Sequence, residues 1–75
     1  MGYKIMNKYI IVVINDKSVV FINEYDKRVA KLKVKLHKKA IVVHGHEIVG
    51  YNGLSYTEAM ERASSLMSYI NNYVK

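Results

Sequence analysis

The polar and apolar positions of this chain change period once. Tyr9-Ile10-Ile11-Val12-Val13-Ile14 is the longest uninterrupted apolar run, and every residue in it is β-branched or aromatic. It is too short for a typical helix and predicts a strand. Asn15-Asp16-Lys17 is a turn signal. Ser18-Val19-Val20-Phe21-Ile22-Asn23 predicts a second strand, hairpin-paired with the first. Glu24-Tyr25-Asp26-Lys27 is polar and ends it.

Arg28–His37 is the clearest period-two stretch. Ala30, Leu32, Val34 and Leu36 fall at one parity, and Lys31, Lys33, Lys35 and His37 at the other. In a strand the first set would face the core and the second would form a row of cations. Lys38-Lys39 reads as a short turn. Ala40–Val49 reads as a fourth extended segment, with Gly45 marking a bulge or a close backbone approach. Gly50-Tyr51-Asn52-Gly53 reads as another turn.

The period then lengthens. Ser55 followed by Glu58 fits a capping box, in which each side chain satisfies a free N–H at a helix start. Ala59, Ala63, Leu66, Met67, Ile70 and Val74 recur at three- and four-residue spacing, one stripe of a helix of roughly five turns. Glu58 and Glu61 near its start and Lys75 at its end suit the macrodipole. The predicted fold class is α+β: an antiparallel β-meander of three to four strands followed by one C-terminal amphipathic helix, in the order ββββα.

One helix covers one face of such a sheet, yet Tyr9–Ile14 and Val19–Ile22 are apolar at every position. Strands of that kind are usually buried on both sides. A homodimer, joined sheet on sheet or edge to edge, would cover the second face. The plainer alternative is apolar residues scattered on the surface, which is normal.

Length adds a bound. The chain has 75 residues, enough for a single domain spanning 1–75, with 1–7 as a flexible start. It has no cysteine, which excludes a disulfide framework, a thiol nucleophile and a Cys-based zinc site, and it has no proline. No apolar run approaches a bilayer span, and the N-terminus lacks a signal-peptide core. Met6 stands where a myristoylation signal needs Ser or Thr. A cytoplasmic protein with no membrane partner is the expectation.

Charge makes the picture more specific. Lys and Arg number 12 against 6 acids, for a net charge of +6. Seven of the twelve, Lys27, Arg28, Lys31, Lys33, Lys35, Lys38 and Lys39, lie within thirteen residues, and no acid occurs from Lys27 to His46. Such clustering favours an anionic partner. Along a strand, Lys31, Lys33 and Lys35 would repeat about every 6.6–6.8 Å, close to the spacing of phosphates on an extended backbone. Lysine binds phosphate as a point charge without reading bases. Tyr25 and Tyr51, in expected loops, could stack on bases, and His37 extends the same face. The bland alternative is a solvated strand face whose lysines guard an edge.

The remaining chemistry is thin. His44 and His46 at strand spacing, with His37 and Glu47 nearby, fall short of the three or four ligands zinc needs. They read as ordinary polar histidines, so no metal site and no cofactor is expected. No nucleophile elbow, phosphate loop or metalloprotease helix is present. No enzyme activity and no small-molecule substrate are expected.

From Gly50 to Ile70 the chain resembles the end of a double-stranded-RNA-binding domain, with Gly53, Ser55, Ala59 and Ala63 at the family's spacing and Val43 in the strand before. Where that family carries phosphate-gripping lysines this chain has Tyr56, Thr57 and Met60, and Arg62 is the one base nearby. The resemblance therefore implies topology. Tyr9–Ile14 and Thr57-Glu58-Ala59 also resemble the outline of a HicB-type antitoxin domain, with the same implication.

Two functions follow. One is a small, dimeric, weakly sequence-specific binder of DNA or RNA that contacts phosphates through the lysine-rich strand face. The other is a protein–protein interaction module, of inhibitor or viral or plasmid accessory type, docking on an acidic or apolar partner surface.

Overall fold

The computed structural model describes residues 8–74. The expectations for a flexible 1–7 and for Lys75 lie outside them. The elements run β1 (Tyr9–Ile14), β2 (Val19–Glu24), α1 (Lys27–Val34), β3 (Ala40–His44), β4 (Glu47–Asn52) and α2 (Tyr56–Val74). The fold is α+β, with four antiparallel strands and a closing C-terminal helix, as the pattern predicts. The sheet order is β2-β1-β3-β4.

The first hairpin is closed by Asn15, whose N–H donates to the Ser18 main-chain oxygen at 2.9 Å. β1 pairs with β2 along its whole length, from Tyr9 opposite Glu24 to Ile14 opposite Val19. It also pairs antiparallel with β3, Val12 opposite Ile41. β2 and β3 therefore run the same way on either side of β1. Parallel strands need a crossover, usually helical, and residues 25–39 supply it.

That crossover corrects the sequence reading. Residues 28–37 are not a strand: Lys27–Val34 is helical, and among the described residues no strand carries a lysine-rich face. Asp26 caps the helix, its carboxylate accepting from the N–H groups of Arg28 at 2.8 Å and Val29 at 3.3 Å. The segment is rich in Lys, Arg, Ala and Leu, which favour helix, and Lys and Ala are depleted in strands. Ala30 and Val34 are buried one turn apart, while Leu32 and Leu36 point into water. Alternation at 30, 32, 34 and 36 contains an i, i+4 pair, and the tertiary structure uses that pair.

The chain from Ala40 to Gly53 also differs from the pattern's prediction. Ala40–Val49 is not one segment but β3, a two-residue turn and the start of β4. Gly45 (φ +65°) opens that turn, a position that favours glycine because L side chains resist positive φ. The irregularity lies elsewhere: Val42 faces Gly50 and Val43 faces Ile48, so Val49 has no partner in the ladder. Gly50-Tyr51-Asn52 belongs to β4, and the strand that precedes α2 along the chain is β4, while Val43 is in β3.

The two helices cover opposite faces of the sheet. Ile10, Val12, Ile14, Ile41 and Val43 pack with Ala59, Ala63 and Ile70 of α2. Ile11, Val13, Ala40 and Val42 pack with Ala30 and Val34 of α1. β1 is apolar on both sides because each side is under a helix. Burying a Val or Ile side chain fully is worth about 1.5–3 kcal/mol, so the second face needs no second copy to cover it. The Ser55–Glu58 capping box forms as expected, with Ser55 N–H donating to Glu58 Oε1 at 2.9 Å and Glu58 N–H donating to Ser55 Oγ at 3.1 Å. Among the described residues no helix is long and apolar enough to cross a membrane.

Candidate anion-binding face

The cationic residues survive the change of secondary structure, on a different scaffold. Lys27, Arg28, Lys31, Lys33 and Lys35 lie on α1 or at its C-cap, and Lys38 and Lys39 lie in the turn entering β3. All seven are exposed. A helix rises 1.5 Å per residue, so Lys31 and Lys35 are separated by about 6 Å along its axis.

The set is not uniform. Lys33 donates to Glu24 Oε2 at 2.7 Å, the one ion pair among the described residues. That bond is the main reason the Glu24 carboxyl is held below its ordinary value of 4.5. Lys31 leans over the sheet: a Cβ built on Gly50 would lie 3.7 Å from Lys31 Cγ. Its stem covers apolar surface while its charge stays in water, a common compromise for lysine. Lys39 and Arg62 lie near enough to Glu58 to help lower its pKa, although the Ser55 N–H bond is the larger cause.

Helix stability alone explains only part of this charge. Cations near a helix C-terminus are favourable, which accounts for Lys31 and Lys33 in the last turn. Lys27 and Arg28 stand in a first turn that has no acid, where the dipole opposes them.

The other sequence candidates separate. Tyr25 is 56% exposed, one residue before the Asp26 cap, and so lies beside the basic helix. Tyr51 does not: it is in β4, opposite Ile41, with its ring 5.8 Å from that of Tyr56 on the α2 side of the sheet. His37 follows the helix, and its main-chain oxygen accepts from Asn52 Nδ2 at 2.8 Å. His44 stacks on Tyr9 at 4.4 Å, and His46 lies in the β3–β4 turn, so the two do not share a strand face. Among the described residues no three His, Asp or Glu side chains cluster as metal ligands would.

Sequence reasoning missed Leu32 and Leu36, which are 64% and 79% exposed. It placed them in the core, but Leu32 projects from the outer side of α1 and Leu36 from the turn just past its Lys35 C-cap. The available signal was Asp26, an N-cap residue just before a run of helix formers.

No family model matches this chain, and no curated protein or solved structure matches it either.

Proposed function

We propose that the chain is a small, non-catalytic nucleic-acid-binding protein that engages phosphates through the outer face of α1 and the turn after it. One observation carries this reading. Lys27, Arg28, Lys31, Lys35, Lys38 and Lys39 are exposed, and among the described residues none is within ion-pair distance of a carboxylate. Six exposed cations without a close ion-pair partner, all between Lys27 and Lys39, form an electrostatic footprint for a polyanion. Five of the six are lysines, which bind phosphate as point charges without reading bases, so binding is weakly sequence-specific and Tyr25 adds stacking at the edge. In this reading the protein works in the cytoplasm and needs no cofactor.

The test is a salt titration of binding to mixed-sequence DNA and RNA. Affinity should fall steeply with salt, and each of Lys31→Gln and Lys35→Gln should reduce the log–log slope by about 1. Salt-independent binding, or binding unchanged in the double variant, overturns the assignment of this face.

Leu32 and Leu36 favour a second reading. A phosphate backbone offers these side chains nothing, whereas a partner protein with an apolar groove and an acidic rim would bury both. In that case DNA and RNA go unbound at about 0.15 M salt, and one protein co-purifies with the wild type but not with the Leu32→Ser/Leu36→Ser variant.

A further inference from the structure

Among the described residues the sheet has two open edges, β2 and β4. An edge strand presents unpaired backbone groups that can template another strand, and native proteins blunt such edges with charge, bulges, proline or a cover. β4 is blunted: it begins at Glu47, its ladder slips at Val49, and the Lys31 stem overhangs Gly50. β2 is less protected: its one charge, Glu24, stands at its end, where Lys33 donates to it. Its ladder with β1 is regular over six residues, and from Val19 to Asn23 it carries no charge and no proline. Val19 and Val20 are 37% and 45% exposed along it.

We infer that β2 is a self-association edge, at which two copies of this chain join antiparallel, with Phe21 opposite its own copy, to merge two four-stranded sheets into one.

Register follows from parity. Residues directly opposite in an antiparallel pair put their side chains on the same face. In a strand paired with its own copy, opposed residue numbers must therefore sum to an even number, so the two-fold axis passes through a residue. Centred on Phe21, Val20 meets Ile22 and Val19 meets Asn23, so both exposed valines gain uncharged partners. Centred on Ile22, Val20 would meet Glu24, the carboxylate held by Lys33. The first arrangement leaves that ion pair alone.

Two chains of +6 repel each other, and contact between them is least opposed along a stretch such as Val19–Asn23, which carries no charge. A two-fold axis perpendicular to the sheet also keeps both α1 helices on one face. The dimer would thus present two basic faces side by side. The inference stands without the nucleic-acid reading and is tested with no nucleic acid present.

Sedimentation equilibrium of the full chain over a wide concentration range should show a mass approaching twice 8.7 kDa. Val20→Lys places a cation opposite Ile22 at two symmetry-related positions and should weaken self-association by about tenfold or more. Its circular dichroism should stay native. Amide exchange supplies an independent reading: in wild type, amides of Val19–Asn23 that face away from β1 should become protected as concentration rises, while the outward amides of β4 do not. A chain that stays monomeric, a Val20→Lys variant that dimerises as well as wild type, or doubled mass without new β2 protection overturns the inference.

Discussion

A side-chain carbon on Gly53 would coincide with the main-chain oxygen of Lys38. Gly53 also has φ +80°, a conformation L side chains rarely adopt. The chain leaving β4 therefore passes directly against the turn that carries Lys38 and Lys39, and Asn52 ties the same two segments through the His37 oxygen. Gly53→Ala should cost at least about 2 kcal/mol, from positive φ and the steric conflict together. Thermal unfolding measures it, and a variant melting within a degree or two of wild type would show that these segments do not touch.

The helical state of residues 27–34 separates two neighbouring substitutions. Val34 is 2% exposed under α1 and Leu32 is 64% exposed on its outside. Val34→Ala should destabilise by roughly 2 kcal/mol, and Leu32→Ala should stay within about 0.5 kcal/mol of wild type. A strand would bury both, so equal losses in urea titrations would return the segment to a strand.

Ser55→Ala removes the acceptor for the Glu58 N–H and should cost about 1 kcal/mol, a typical N-cap loss. The fall should be seen in the melting temperature, with the native circular dichroism retained.

Acid should act on the same cap. The Ser55 N–H holds the Glu58 carboxyl below its ordinary value of 4.5, and the Lys33 bond does so for Glu24. A carboxylate whose pKa is lower folded than unfolded contributes stability that is complete above the unfolded value and is lost as pH falls through the folded one. Stability should therefore drop on acidification below pH 4.5. Glu24→Gln and Glu58→Gln should each reduce that drop, and an unchanged acid limb in the double variant would assign it to other groups.

Lys33 should behave unlike its neighbours in nucleic-acid binding. Its charge is committed to Glu24, so Lys33→Gln should change the salt slope less than Lys31→Gln or Lys35→Gln. A strand face would make all three equivalent, and filter-binding slopes that rank Lys33 first would contradict the α1 geometry.

Much of the fold is legible in the residues alone. β-branched runs set β1 and β2, Ser55 and Glu58 set the start of α2, and the three- and four-residue spacing of Ala59, Ala63 and Ile70 sets its buried side. Those signals are local: propensity, capping and period agree at each place. The clustering of cations between Lys27 and Lys39 is likewise a fact of sequence, and it survives the exchange of strand for helix.

The scaffold beneath those cations was not local. Ala30, Leu32, Val34 and Leu36 satisfy a strand by alternation, and Ala30 and Val34 satisfy a helix by i, i+4 spacing. What decided between them was the second apolar face of β1, formed by Ile11 and Val13, which needed a cover that the chain itself could supply. A helix capped by Asp26 lies across that face and lets β2 and β3 run in the same direction on either side of β1, which a tight turn cannot do. Only the packed sheet, with both sides of β1 occupied, turned the lysines outward from a helix and left Leu32 and Leu36 among them.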